Sequence, residues 1–170
     1  ALAYLSHLTG LKYLDLDRAE VSDKGVRQLK TLKNMEQISA FGTMITGSCF
    51  KDLSTMSKLK VLNLQNNHIL PESIKQIPVS FPALQVLNLG HTVLTDKALA
   101  PVAKCSQLEQ LEISANPGIT DGAIPHLMAL KKLKRLDLES TAITSKGLLK
   151  LAALKDLKVV VADASSVNTS

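Results

Sequence analysis

The chain has 170 residues and a mass of 18.3 kDa, enough for one domain with a real hydrophobic core. Hydrophobic residues at 45% and charged residues at 21% exclude a disordered chain, and six Pro with eight Gly exclude a collagen-like or linker-dominated one. A net charge of +5 permits an anionic partner without demanding one.

Aromatics are only 3% with no Trp, so the core must come from Leu, Ile, Val and Ala. No apolar run approaches the roughly 20 residues that span a bilayer. The opening segment lacks the basic start and unbroken apolar stretch of a signal peptide. Two cysteines do not make a disulfide framework, and free thiols are compatible with cytoplasm; the compartment itself is not written in the sequence.

Taken in chain order, residues 1–8 (ALAYLSHL) match the second half of a unit that returns later as GLLKLAAL from Gly147. The chain is therefore expected to begin inside a repeat, either as a fragment of a longer protein or with an extra element over that end. The whole unit then recurs seven times. LKYLDLDRAEV starts at Leu11, a weaker MEQISAFGTMI at Met35, LKVLNLQNNHI at Leu59 and LQVLNLGHTVL at Leu84. LEQLEISANPGI follows at Leu108, LKRLDLESTAI at Leu133 and a weaker LKVVVADASSV at Leu157. The starts are 24, 24, 25, 24, 25 and 24 residues apart, which makes this a repeat array before it is anything else.

Each unit opens with a short strand of period 2. Leu14 and Leu16 are expected inward, as are Ile38/Ala40, Leu62/Leu64, Leu87/Leu89, Leu111/Ile113, Leu136/Leu138 and Val160/Ala162. Three residues later stand Ala19, Thr43, Asn67, Thr92, Asn116, Thr141 and Ser165, small or hydrogen-bonding residues suited to satisfying the backbone where the chain turns. The second half of the unit changes period. Val21, Val26, Leu29 and Leu32, then Leu94, Leu99, Val102 and Cys105, then Ile143, Leu148, Leu151 and Leu154 each form one stripe on a short helix. Ser22, Thr46, Thr95, Thr120 and Thr144 stand where N-caps should, with Asp23, Asp96 and Asp121 following at the positive helix end. In the third unit Leu70 replaces the cap, and Pro71 fits the first helical position.

One such unit cannot bury its apolar face alone, so neighbours must stack. The strands then form a parallel sheet, and the helices, wider than the ~4.8 Å strand spacing, force that sheet to the inside of a curve. Leu87→Asp should unfold neighbouring units, whereas Asn88→Asp, one residue along, is expected to cost under ~0.5 kcal/mol.

The pattern LxxLxLxx(N/T)x(I/V/L) at this period resembles the leucine-rich repeat over nearly the whole chain. VSDKGV, LTDKAL, ITDGAI and ITSKGL are similar to the bacterial variety with units reading T-x-I-T-D-x-G-L, and ribonuclease-inhibitor-like and cysteine-containing repeats look similar too. The resemblance implies an α/β, right-handed solenoid: a horseshoe segment with a parallel sheet on the concave face and short helices on the convex one. It would occupy residues 1–165, with a polar tail at 166–170. It also implies a binding scaffold, a protein or peptide held by the concave sheet, with no catalysis and no cofactor.

Ten residues near the sheet's outward columns are the expected binding residues: Tyr13, Asp15, Asp17, Arg18, Phe41, Gln65, His91, Glu112, Asp137 and Glu139. Tyr13, Phe41, Arg18 and His91 are types that anchor interfaces, although a lone exposed aromatic is common. Glu112, Asp137, Glu139 and Asp163 fall on three consecutive strands, where a basic peptide or a hard cation such as calcium would suit them. No loop wraps them as calcium sites require, and Arg135 and Lys158 are expected to neutralise part of their charge. A solvated acidic patch is preferred to a metal site, and a basic partner stays open. Lys33, Lys58, Lys60, Lys131, Lys132, Lys134, Lys155 and Lys158 line the edge where strands start. Nucleic acid or an anionic surface there is the weaker alternative, because no aromatics interleave with the lysines. A spacer, or the substrate-recognition part of a larger effector or ubiquitin-ligase-like protein, is another. His7, His68, His91 and His126 occupy different unit positions, no phosphate loop or metal spacing occurs, and Cys49 and Cys105 are too far apart in register to bridge.

Overall fold

Period-2 alternation lets each unit contribute a strand of only three residues, one side chain inward between two outward. β1 (Tyr13–Asp15), β2 (Gln37–Ser39), β3 (Val61–Asn63), β4 (Val86–Asn88), β5 (Gln110–Glu112), β6 (Arg135–Asp137) and β7 (Val159–Val161) form one parallel sheet in chain order. The computed structural model describes residues 2–163, so the expected turn residue Ser165 and the polar tail at 166–170 lie outside the described residues.

The register has no stagger. Leu14, Ile38, Leu62, Leu87, Leu111, Leu136 and Val160 stand opposite one another, strand to strand. The expected inward spine is thus continuous, and it is buried from Ile38 to Leu136. Leu14 is only half-buried and Val160 is 44% exposed, because each has a neighbouring strand on one side alone among the described residues. The second inward column, Leu16, Ala40, Leu64, Leu89, Ile113 and Leu138, is buried throughout, and one apolar cluster runs through all units. Phe50 and Phe81 meet edge-to-face inside it at 5.8 Å.

The buried turn residues behave as their chemistry demands. Asn67 Nδ2 donates to the carbonyls of Ala40 and Leu64 while its Oδ1 accepts from the Thr43 amide and hydroxyl. Asn116 repeats this, donating to the Leu89 and Ile113 carbonyls and accepting from the Thr92 and Leu94 amides. Each asparagine thereby joins its own turn to the one before it, which a buried amide must do to avoid an uncompensated polar group.

The helical halves are short, as expected, and mix α-helix with 3-10 turns. α1 (Asp23–Val26) passes into a 3-10 turn at Arg27–Thr31, and the second unit holds a 3-10 turn at Phe50–Leu53. The third carries α2 (Pro71–Ile74) and α3 (Ile77–Ser80), and the fourth α4 (Asp96–Leu99) with a 3-10 turn at Val102–Lys104. A 3-10 turn at Asp121–Ala123 leads into α5 (Ile124–Leu127), and α6 (Ser145–Leu151) is longest. Apolar steps of three match the 3-10 period better than 3.6, and Pro78, Pro101 and Pro125 break continuity.

The capping expectation needs correction. Ser22, Thr95, Thr120 and Thr144 do hold N-cap positions with extended backbones, and Leu70 does so ahead of Pro71. Of these only Thr120 caps through its side chain, accepting from the Gly122 amide, and Cys49 rather than Thr46 precedes the helical turn of its unit. The threonines face backwards instead. Thr46, Thr120 and Thr144 each donate both amide and hydroxyl to the aspartate one unit earlier, Asp23, Asp96 and Asp121 respectively, at 2.6–3.0 Å. The aspartates expected to serve a helix dipole are clamps between units.

Candidate recognition surface

The sheet leaves its outward columns free of the core, and the helical layer, wider than the strand spacing, puts them on the inner side of the curve. In four of the seven strands the second outward position has a local duty. Asp15, Asn63, Asn88 and Asp137 each accept the amide two residues ahead, at 2.9–3.0 Å, closing the strand end. Asp15 and Asp137 thus spend one oxygen on backbone and keep the other for solvent or a partner.

Side-chain chains then run across the strands. Ser39 Oγ donates to Asp17 Oδ1 and accepts from Asn63 Nδ2, and the same Asp17 oxygen takes the Phe41 amide at 2.8 Å. Asn88 Nδ2 donates to both Gln65 and Glu112. Gln65 and Glu112 are brought together through Asn88, and Asp17 is brought to Phe41. The Arg18 guanidinium lies 5.5 Å from the Phe41 ring centre, a cation–π contact on an exposed face. Tyr13 stands apart at the start of β1 and is 63% exposed. His91 is exposed at the end of the fourth strand, with its amide on the Ser114 carbonyl. Glu139 is exposed beside Asp137, and Asp163 Oδ2 accepts the Ser140 amide at 2.7 Å.

Among the described residues, neither Arg135 nor Lys158 forms an ion pair with Glu112, Asp137 or Glu139. The basic edge, by contrast, is interleaved with acceptors. Glu36 bridges Lys12 and Lys60, Glu109 takes Lys134, Asn34 takes Lys58 and Gln107 takes Lys132. The Lys60 and Lys12 ammonium groups hold the Glu36 carboxyl below its ordinary value, and Glu36 in turn raises Lys12.

Both thiols are free and buried. Burial pushes the Cys105 thiol up to about 12, and burial with the neighbouring Asp23 carboxylate raises Cys49 further, so neither is a thiolate at neutral pH. For Asp23, burial works to raise the carboxyl, but the hydrogen bonds from Thr46 and Cys49 outweigh it and hold the group below its usual value. Asp121 is lowered chiefly by the Thr144 hydroxyl.

Sequence reasoning missed the connecting roles of Ser39, Asn63 and Asn88, and the clamping role of Asp23, Asp96 and Asp121. The signal was present: an Asp in one unit and a Thr 23 or 24 residues on, at the next cap.

Two family models described as leucine-rich repeats match, one over residues 129–152 and another over residues 58–81. No curated protein matches the chain. Among solved structures, it is similar to internalin C2 of Listeria monocytogenes, with a TM-score of 0.75 at 25% identity over 92% of this chain and 63% of that one. The internalin inlF of the same organism gives 0.54 at 19% identity, over 94% and 56%. TLR13, solved as a TLR13–ssRNA13 complex, gives 0.61 at 19% identity, over 79% and 20%. The chain spans less than two thirds of the length of each.

Proposed function

The chain is a leucine-rich repeat protein, and we propose that it binds a protein or peptide partner through the outward face of its sheet, without a reaction of its own. The supporting observation is the hydrogen-bonded mesh on that face. Asp17, Gln65 and Glu112 are held by Ser39 and Asn88, and Arg18 is stacked on Phe41. Side chains fixed before binding lose little rotamer entropy when a partner arrives, so a modest contact area yields more net affinity.

The face divides into two chemistries. Tyr13, Arg18 and Phe41 offer aromatic and cationic anchors at one end, with Asp15 and Asp17 beside them, and His91 lies midway along the sheet. Glu112, Asp137 and Glu139 offer carboxylates at the other, so a partner laid across the strands would set its basic residues there. The same face would serve a substrate-recognition role within a larger protein. Binding of nucleic acid at the lysine edge is disfavoured by the carboxylates and amides already pairing with Lys12, Lys58, Lys60, Lys132 and Lys134.

Affinity capture with the wild-type chain, with Phe41→Ala and with Glu139→Lys tests this. Both side chains lie outside the core, so both variants should keep the wild-type melting temperature. A protein captured by the wild type should be retained at least tenfold less by each variant. Equal capture by all three chains would reject the sheet face, and salt-sensitive retention on heparin with unchanged variants would favour the edge.

A further inference from the structure

On the opposite, helical face, units one and two are laced together by two polar straps. Arg27, five residues past its cap position, pairs with Asp52, six past the next, at 2.8 Å. Thr55 Oγ donates to the Lys30 carbonyl at 2.6 Å. Between units three and four both straps are missing at the same register. Lys75 stands for Arg27 and Pro101 for Asp52, while Lys104 stands for Thr55 and Pro78 for Lys30. What remains is an open groove of about 350 Å³ lined by Lys75, Pro78, Val79, Ala100, Pro101 and Lys104. Val79 occupies the position held by Thr31 and Thr55 in the earlier units, yet it is 73% exposed. Neither lysine's ammonium group has a hydrogen-bond or ion-pair partner among the described residues.

We propose that this groove is a second docking site, for a protein segment carrying an apolar side chain between carboxylates. The apolar group seats against Pro78, Val79 and Pro101, and the carboxylates pair with Lys75 and Lys104. One of them takes, from outside, the place that Asp52 fills beside Arg27 from within. A segment of this kind fits better than an anionic membrane, because lipid recognition uses clusters of about 4–8 cations and here there are two, set into a concave apolar floor. The site does not depend on the sheet face.

The test is an amide-resolved NMR titration of the whole chain with an acetylated Glu-Asp-Leu-Leu-Asp-Glu peptide. Its Gln-Asn-Leu-Leu-Asn-Gln counterpart, and phosphatidylcholine vesicles with and without phosphatidylserine, are the other arms. Shifts should be confined to residues 75–80 and 100–104 and appear with the acidic peptide only. Lys75→Glu with Lys104→Glu should weaken binding at least tenfold, and Lys131→Glu, away from the groove, should leave it unchanged. Pro101→Asp should also weaken it at least tenfold, by supplying the missing carboxylate internally. Binding unaffected by Pro101→Asp or by the charge reversals would overturn the proposal. So would shifts spread over the sheet, a peptide that leaves the spectrum unmoved at millimolar concentration, or binding to anionic vesicles alone.

Discussion

Six residues at one position of successive units, Arg18, Gly42, Asn66, His91, Ala115 and Ser140, have left-handed backbones with φ between 52° and 61°. Only one is glycine. Each donates its amide across to the next unit, so the conformation belongs to the stacking and the side chain has to accept it. Ala115 gains nothing from its Cβ in that conformation, and Ala115→Gly should raise stability by about 0.5–1 kcal/mol in urea unfolding. Val93 is a sharper case. It is β-branched, exposed and at φ 60°, and among the described residues no other unit has a positive φ at that position. Val93→Gly is expected to stabilise by about 1 kcal/mol or more, and a loss instead would mean that the side chain makes a contact worth the strain. The local sequence could not reveal the set, because Arg18, Ala115 and Ser140 are residues that ordinarily avoid φ > 0, while Gly42, Asn66 and His91 are types that tolerate it. Asn88 was misjudged for a related reason. Its amide holds Gln65 and Glu112, so Asn88→Asp sets a carboxylate against Glu112 and should cost about 1 kcal/mol or more, not the half expected of a free surface residue.

At the scale of the element, the strand was legible and the clamp was not. Period-2 alternation is local: Leu87 between Val86 and Asn88 declares its direction without any neighbour. A clamp such as Asp121–Thr144 exists only once units are stacked in register, so its partner is 23 residues away and invisible to a window of one helix. The clamp is also unevenly used. It joins units one to two, four to five and five to six, whereas Gly47 and Pro71 stand where the aspartate would be in the second and third units. A double-mutant cycle on Asp121→Ala and Thr144→Ala should give a coupling near 1 kcal/mol, the partial exposure of the pair reducing the larger value of a buried charged hydrogen bond. Acid should act through the same groups. Asp23 and Asp121 are held below their ordinary values when folded, so they stabilise above the unfolded aspartate value of ~3.9, and that contribution is lost as pH falls through the folded value. The melting temperature should be level from neutral pH to about 5 and fall below about 4, and Asp23→Asn should make the fall shallower. An identical acid profile in Asp23→Asn would remove this carboxylate as a source of the slope.

The whole molecule is a one-dimensional stack, and its energetics should depend on place as much as on residue type. Leu14 and Leu87 are the same residue at the same step of the unit, but Leu87 has strands on both sides and is fully buried, while Leu14 has one and is half-buried. Leu87→Ala should therefore cost about 3–5 kcal/mol through lost transfer and an unfilled cavity, and Leu14→Ala about 1–2. Hydrogen exchange carries the distinction further. In the wild type, protection should be greatest for amides of β3 to β5 and least for β1 and β7, because opening an end breaks one interface and opening the middle breaks two. Leu87→Asp should extend the weak zone inward, exposing β3 and β5 together, since a buried unpaired charge in β4 cuts the spine both ways. If instead every amide lost protection equally, the array would be unfolding as a single cooperative block. The missing clamps around units two to four would then carry less weight than the continuous apolar core from Leu16 to Leu154.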